Sequence, residues 1–185
     1  MRELSLHILD VAENGITAGG NCIWIEVDED RKADQLKIGI RDNGRGMPVE
    51  KLENIDDPFI TTRTTRRVGL GLSLLAAAAR RCDGTMHVDS KSGKGTEISA
   101  TFGFNHIDRA PLGDMAATIT TLIMGNPGID FVYSHQIDGN EYRLDTREIR
   151  AEMEDLSLND PIVIHHLAET IRAALKALSS NKSES

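Results

Sequence analysis

The 185-residue chain predicts a mixed α/β fold. Three observations carry that prediction. Apolar residues recur at helical spacing in several stretches, starting with Leu4, Ile8, Val11 and Ala12. Between them run short segments of period-two or β-branched character, such as 35–41. Gly, Asn and Asp clusters separate the two kinds.

The first helix takes in Leu4, Ile8, Val11, Ala12 and Gly15, and Ala18-Gly19-Gly20-Asn21 stops it. Strands are predicted over 22–27 and 35–41, with a charged turn over 28–34. A Gly-rich loop follows over 42–48, then a short helix over 49–55 and a polar, irregular stretch over 56–68. The Ala/Leu-rich segment 69–81 reads as a helix. Strands over 85–90 and 96–102 flank the turn 91–95. Further on, Leu112, Met115, Ala116, Ile119, Leu122 and Ile123 share a helical face closed by Gly125-Asn126-Pro127. Strands over 129–136 and 141–144 flank the hairpin signal Asp138-Gly139-Asn140. Asp145 with Glu148 starts a short helix. Pro161 opens a last one through Leu167, Ile171 and Leu178, at a position where its missing N–H costs nothing. The expected division is a domain over 1–104, a small αββαα unit over 105–180 docked on it, and a disordered tail over 181–185.

Composition narrows the function. Hydrophobic residues make 39% and charged residues 27%, a globular mixture. The net charge of −8 argues against a nucleic-acid partner. It is uneven, about −2 over 1–105 and −6 over 106–185, so the second part suits a protein contact better than a phosphate site. No apolar run approaches the ~18 residues of a membrane span, and the N-terminus lacks a secretory pattern. Cys22 and Cys82 are too few for a disulfide framework or a Cys-rich zinc site. A cytoplasmic protein is expected, without membrane attachment.

Four signals carry chemistry. Asp10 and Asn14 are one turn apart on the first helix and project side by side. A carboxylate and an amide so placed can hold a water and a hydrated Mg²⁺, although an exposed polar face would read the same way. Asp42-Asn43-Gly44-Arg45-Gly46-Met47 follows a strand directly. A carboxylate there could accept from an exocyclic amine, and an ordinary Asx/Gly turn is the plainer reading. Asp57-Pro58-Phe59-Ile60-Thr61-Thr62-Arg63 precedes Gly69-Leu70-Gly71-Leu72 at a helix start, where free N–H groups suit phosphates. Gly93-Lys94-Gly95-Thr96 sits between two strands and alone is a hairpin turn. His7 is read as a helix-surface or interface residue, and the diverging His165-His166 pair does not suit a shared metal.

In this order, over about residues 3–104, the four signals resemble the histidine-kinase-like ATPase superfamily, which includes gyrase, chaperone and mismatch-repair ATPases. The resemblance implies a Bergerat-type, two-layer α/β sandwich that binds ATP and Mg²⁺. It implies that Asn14 ligates the metal, that Asp42 receives the adenine amino group, and that Gly44, Gly46 and Met47 shape the base pocket. It places Thr61 and Arg63 in a short lid over 61–68. It puts Gly69, Leu70, Gly71 and Leu72 at the phosphates and Thr96 beside the base-binding Asp.

Two departures shape the expectation. Kinases of the superfamily usually carry Asn where Asp10 stands, and its hydrolytic members carry Glu. Asp10 is a candidate general base, one methylene shorter than Glu. Nothing ahead of Leu4 could form a phospho-accepting helix pair, so autophosphorylation within this chain is not expected. The expected function is an ATP- and Mg²⁺-binding regulatory protein with a nucleotide-dependent lid, an unidentified protein partner and slow hydrolysis. Alternatives are a stand-alone protein kinase acting in trans on an acceptor, and a non-catalytic nucleotide sensor or adaptor. A homodimer is compatible with each.

Overall fold

The computed structural model describes residues 3–47, 70–153 and 157–180. The helix expected over 49–55, the polar stretch 56–68 with Thr61 and Arg63, Gly69, and the tail 181–185 lie outside these residues.

The described elements alternate as the sequence predicts. In chain order they are α1 (Leu4–Thr17), β1 (Cys22–Asp30), β2 (Gln35–Asp42), α2 (Leu70–Arg81), β3 (Met86–Lys91) and β4 (Gly95–Gly103). Then come α3 (Met115–Gly125), β5 (Asp130–Ile137), β6 (Asn140–Asp145), α4 (Thr146–Glu152) and α5 (Pro161–Ser180). The strands form one six-stranded sheet in the order β3-β4-β2-β1-β5-β6. All neighbours are antiparallel except β1 and β5, which run parallel. The second region therefore extends the sheet of the first.

Period-two patterning sets the two layers. Ile23, Ile25 and Val27 of β1, Leu36, Ile38 and Ile40 of β2, and Ile98, Ala100 and Phe102 of β4 are all buried. They join Leu4, Ile8 and Val11 of α1, Leu72 and Leu75 of α2, and Ile119 of α3 in one core. The intervening Glu26, Lys37, Arg41 and Glu97 stay exposed on the other face, as alternation across a pleated strand requires. The two-layer expectation is met.

Local chemistry fixes the ends of the helices. Gly19, at φ +83°, closes α1: Gly20 N–H donates to Gly15 O at 3.0 Å and Gly19 N–H to Ile16 O at 2.8 Å. This Schellman pattern uses the left-handed conformation that glycine adopts without strain. At its start α1 has no side-chain cap, and the Leu4 and Ser5 N–H groups donate to the Pro111 and Leu112 carbonyls. The helix predicted from Leu112 begins at Met115 instead, because Asp114 caps it through Ala117 N–H. Strand β1 also runs further than predicted, to Asp30. Asp28, Glu29 and Asp30 pair with Lys37, Leu36 and Gln35, so their charge did not end the ladder.

Candidate functional site

Asp42 ends β2 and is 8% exposed. Its Oδ1 accepts the Gly44 N–H at 2.8 Å. Burial raises its pKa above the usual carboxylate value, and the Gly44 and Thr96 backbone N–H groups pull the other way.

Glycines let backbone crowd around this carboxylate. A Cβ on Gly15 of α1 would lie 2.8 Å from the Asp42 Cβ, and one on Gly44 would lie 2.9 Å from Oδ1. On β4, a Cβ on Gly95 would lie 2.0 Å from the Asp42 carbonyl oxygen. No larger residue fits these positions unchanged, so the space beside Asp42 is walled by main chain.

Asn43 and Ser90 pin the loop that follows. Asn43 Oδ1 accepts the N–H groups of Asn21 at 2.9 Å and Cys22 at 3.1 Å, tying the loop to the start of β1. Arg45 N–H donates to Ala18 O at 3.0 Å, and Arg45 O accepts from Gly93 N–H at 2.7 Å. Met47 N–H donates to Ser90 Oγ at 2.8 Å. Ser90 Oγ also lies 3.0 Å from Gly95 O and 2.9 Å from Thr96 Oγ1. Thr96 is buried and is the register partner of Asp42. Asp42, Gly44, Gly46, Met47 and Thr96, predicted from separate motifs, thus meet at one end of the sheet.

The first and third motifs also meet. Asp10 and Asn14 are half-buried on the flank of α1 that faces the start of α2. A Cβ on Gly71 would lie 3.2 Å from Asp10 Cβ and 3.7 Å from Asn14 Nδ2. Through Gly15, the next residue of α1, this flank continues to Asp42. The Asp10 and Asn14 side chains lie beside the first turn of α2, and a carboxylate with an amide carbonyl is a donor set that fits a hydrated Mg²⁺. The Leu72 side chain is in the core, so only its main chain is available to a ligand. Leu70 begins α2, whereas Thr61, Arg63 and Gly69 lie outside the described residues.

Sequence reasoning overlooked Ser90 and Asn43. Each is a small polar residue next to a turn, and its bonding becomes visible only when β3, β4 and the α1–β1 connection are assembled. His7, expected at the helix surface or at an interface, is 4% exposed, and its Nδ1 has no hydrogen-bond partner among the described residues. Burial, chiefly, lowers its pKa. Cys22 and Cys82 are buried free thiols. No described helix is long and apolar enough to cross a membrane.

Comparison with known proteins identifies the family of the chain. Residues 2–106 match the family described as histidine kinase-, DNA gyrase B-, and HSP90-like ATPase. Sporulation kinase C of Bacillus subtilis (strain 168) is 31% identical over 94 residues, covering 51% of this chain and 22% of that protein. The non-motile and phage-resistance protein of Caulobacter vibrioides is 30% identical over 125 residues, covering 63% of this chain and 15% of that protein. The chain thus spans less than a quarter of either relative's length. The crystal structure of the N-terminal domain of a DNA repair protein superposes with a TM-score of 0.55 at 16% identity, covering 85% of this chain and 55% of that one. That likeness is one of fold. With the family match spanning more than half of its length, the chain belongs to the histidine kinase-, DNA gyrase B- and HSP90-like ATPases and carries their ATP-binding domain.

Proposed function

We propose that this protein is an ATP- and Mg²⁺-dependent regulatory ATPase whose bound nucleotide changes a protein contact. The observation that carries the reading is the contact of Gly71 with Asp10 and Asn14, on the helix whose Gly15 abuts Asp42. One helix thereby links a metal-suited oxygen pair, a helix start suited to phosphates and a buried carboxylate suited to an amine.

In this reading Asn14 ligates Mg²⁺, which supplies charge neutralisation at the phosphates. Asp42 accepts from the adenine amino group, with Thr96 beside it, and Gly44, Gly46 and Met47 border the base. The main chain at Leu70, Gly71 and Leu72 faces the phosphates; the phosphate and lid roles expected of Gly69, Thr61 and Arg63 fall outside the described residues. Asp10 takes the proton from an attacking water. Its carboxylate sits about 1 Å or more short of where a Glu would reach, and misplacements of that size cost about 100-fold in rate. Slow turnover follows, as suits a switch. The acidic region 105–180, a small unit joined to the 1–104 domain through the shared sheet, makes the partner contact. The site of action is the cytoplasm, and the protein works as a monomer or homodimer.

The likeness to sporulation kinase C supports a second reading, phosphoryl transfer to a protein acceptor in trans. One experiment separates the two. Purified protein is incubated with γ-labelled ATP and Mg²⁺ beside Asp10→Ala and Asn14→Ala, and free phosphate is resolved from protein-bound phosphate. The ATPase reading expects free phosphate from the unmodified protein and a loss of at least about 100-fold in both variants. ATP binding without turnover redirects the search to an acceptor. Absence of ATP binding refutes both readings.

A further inference from the structure

Ser90 lies near the end of β3 and is 6% exposed. Its hydroxyl is within hydrogen-bond distance of the Met47 N–H, the Gly95 carbonyl and the Thr96 hydroxyl. A serine hydroxyl has one hydrogen and two lone pairs, and this count fixes the direction of every bond around it. The Gly95 carbonyl can only accept, and Ser90 Oγ lies 3.0 Å from it. Ser90 therefore donates to Gly95. Met47 N–H occupies one Ser90 lone pair. Thr96 must donate to the other. The Thr96 oxygen is left with lone pairs only, and it behaves as an acceptor toward anything further.

Thr96 and Asp42 are directly opposed on β4 and β2, both buried. Side chains so opposed share a face of the sheet. Ionised, Asp42 is also an acceptor only.

We propose that Ser90 sets the base selectivity of the site. By holding the Thr96 hydroxyl as an acceptor beside the Asp42 carboxylate, it builds a two-acceptor edge. That edge takes an exocyclic amino group and rejects a carbonyl oxygen in the same place. The inference rests on the nucleotide reading above and adds a positioning residue to it; Ser90 acts through Thr96 and needs no contact with the ligand.

The test compares ATP with ITP, which carries a carbonyl where ATP carries the amino group. Affinities are measured by calorimetry on the full chain with Mg²⁺. The unmodified protein prefers ATP. Ser90→Ala releases the Thr96 hydroxyl to donate, so ITP binds more tightly and the ATP-to-ITP preference falls about tenfold, the scale of one hydrogen bond. Thr96→Val keeps the Ser90 bonds to Met47 and Gly95 and removes only the hydroxyl, and the preference falls likewise. Should Ser90→Ala fail to melt cooperatively, Ser90→Cys, whose sulfur is only a weak acceptor for the Thr96 hydroxyl, takes its place and the preference falls there too. A merely structural Ser90 weakens both nucleotides by the same factor. That outcome, or an unchanged ATP-to-ITP preference in the Ser90 variants, overturns the proposal whatever Thr96→Val does. An ATP affinity indifferent to Asp42→Ala instead refutes the nucleotide reading, and this inference with it.

Discussion

Gly71 and Asp10 meet across the seam between α1 and α2: a Cβ on the glycine would lie 3.2 Å from the aspartate Cβ. This contact joins motifs about sixty residues apart in sequence. It brings the first turn of α2 against the flank that carries Asp10 and Asn14.

Substitution of that glycine separates stability from function. Gly71→Ala gains about 0.5–1 kcal/mol of helix propensity, against a contact that requires Asp10 to give by a few tenths of an ångström. The expected outcome is a melting temperature within a few degrees of the unmodified protein, with ATP affinity reduced about tenfold or more by the shifted seam. Thermal melts and nucleotide titration on one preparation check it. Unimpaired ATP binding would show that the seam is not part of the site.

Two glycines of the β3–β4 hairpin should respond very differently to the same change. Both have positive φ, +77° at Gly93 and +96° at Gly95. Around Gly93 a Cβ meets nothing within 4 Å, so Gly93→Ala costs only conformational strain, about 1–2 kcal/mol. A Cβ at Gly95 would fall 2.0 Å from the Asp42 carbonyl oxygen, which is main chain and cannot step aside. Gly95→Ala is expected to cost at least ~4 kcal/mol or abolish cooperative folding. Urea titrations rank the two, and similar midpoints would refute the packing described here.

Asp42 stores instability in the folded state. Burial raises its pKa, so the folded protein holds the proton where the unfolded chain releases it. Its contribution to stability therefore declines as pH rises from the unfolded value, ~3.9, through the folded one. Asp42→Asn removes the buried charge and leaves one oxygen to accept from the Gly44 and Thr96 N–H groups. It should melt above the unmodified protein at pH 7, the gap closing below about pH 4, while ATP affinity is lost. Melts across this range decide it, and equal stability at pH 7 would contradict the sign.

His7 has the opposite dependence. Burial lowers its pKa, the positive chain terminus and Arg81 act in the same direction, and Asp10 opposes them. The folded state favours the neutral ring, so stability is full above the unfolded value of about 6.5 and is lost as pH falls below it. His7→Leu removes this slope and the unpaired Nδ1, with an expected gain of about 1 kcal/mol at pH 7. Denaturant unfolding at pH 5 and pH 7 measures both effects. A variant with the original slope would place the titration elsewhere.

Much of the fold was legible because it rests on short-range chemistry. The apolar spacing of Leu4, Ile8, Val11 and Ala12 marks the buried stripe of α1. Alternation in 35–41 marks β2, and Asp138-Gly139 makes the turn between β5 and β6. Where prediction slipped, a tertiary partner had intervened. Asp28, Glu29 and Asp30 look like a turn, yet they pair with β2, and Glu29 Oε1 lies 2.8 Å from the buried His135 Nε2. His7 reads in sequence as a surface or interface histidine, and the packing of α1 decides that it is buried.

The sequence by itself determined the helix and strand periods, the turn glycines and the order of the four motifs. Each depends on residues within a few positions of one another, or on identity alone. Tertiary structure decided that β5 joins β1 in parallel, that Gly71 meets Asp10, and that Ser90 binds Met47, Gly95 and Thr96. Most of these contacts link residues distant in the chain, and Ser90 reaches Gly95 and Thr96 only across the β3–β4 pairing. A single polar or small residue carries no periodic signal of its partner, and only the assembled sheet and its helices bring the two within bonding distance.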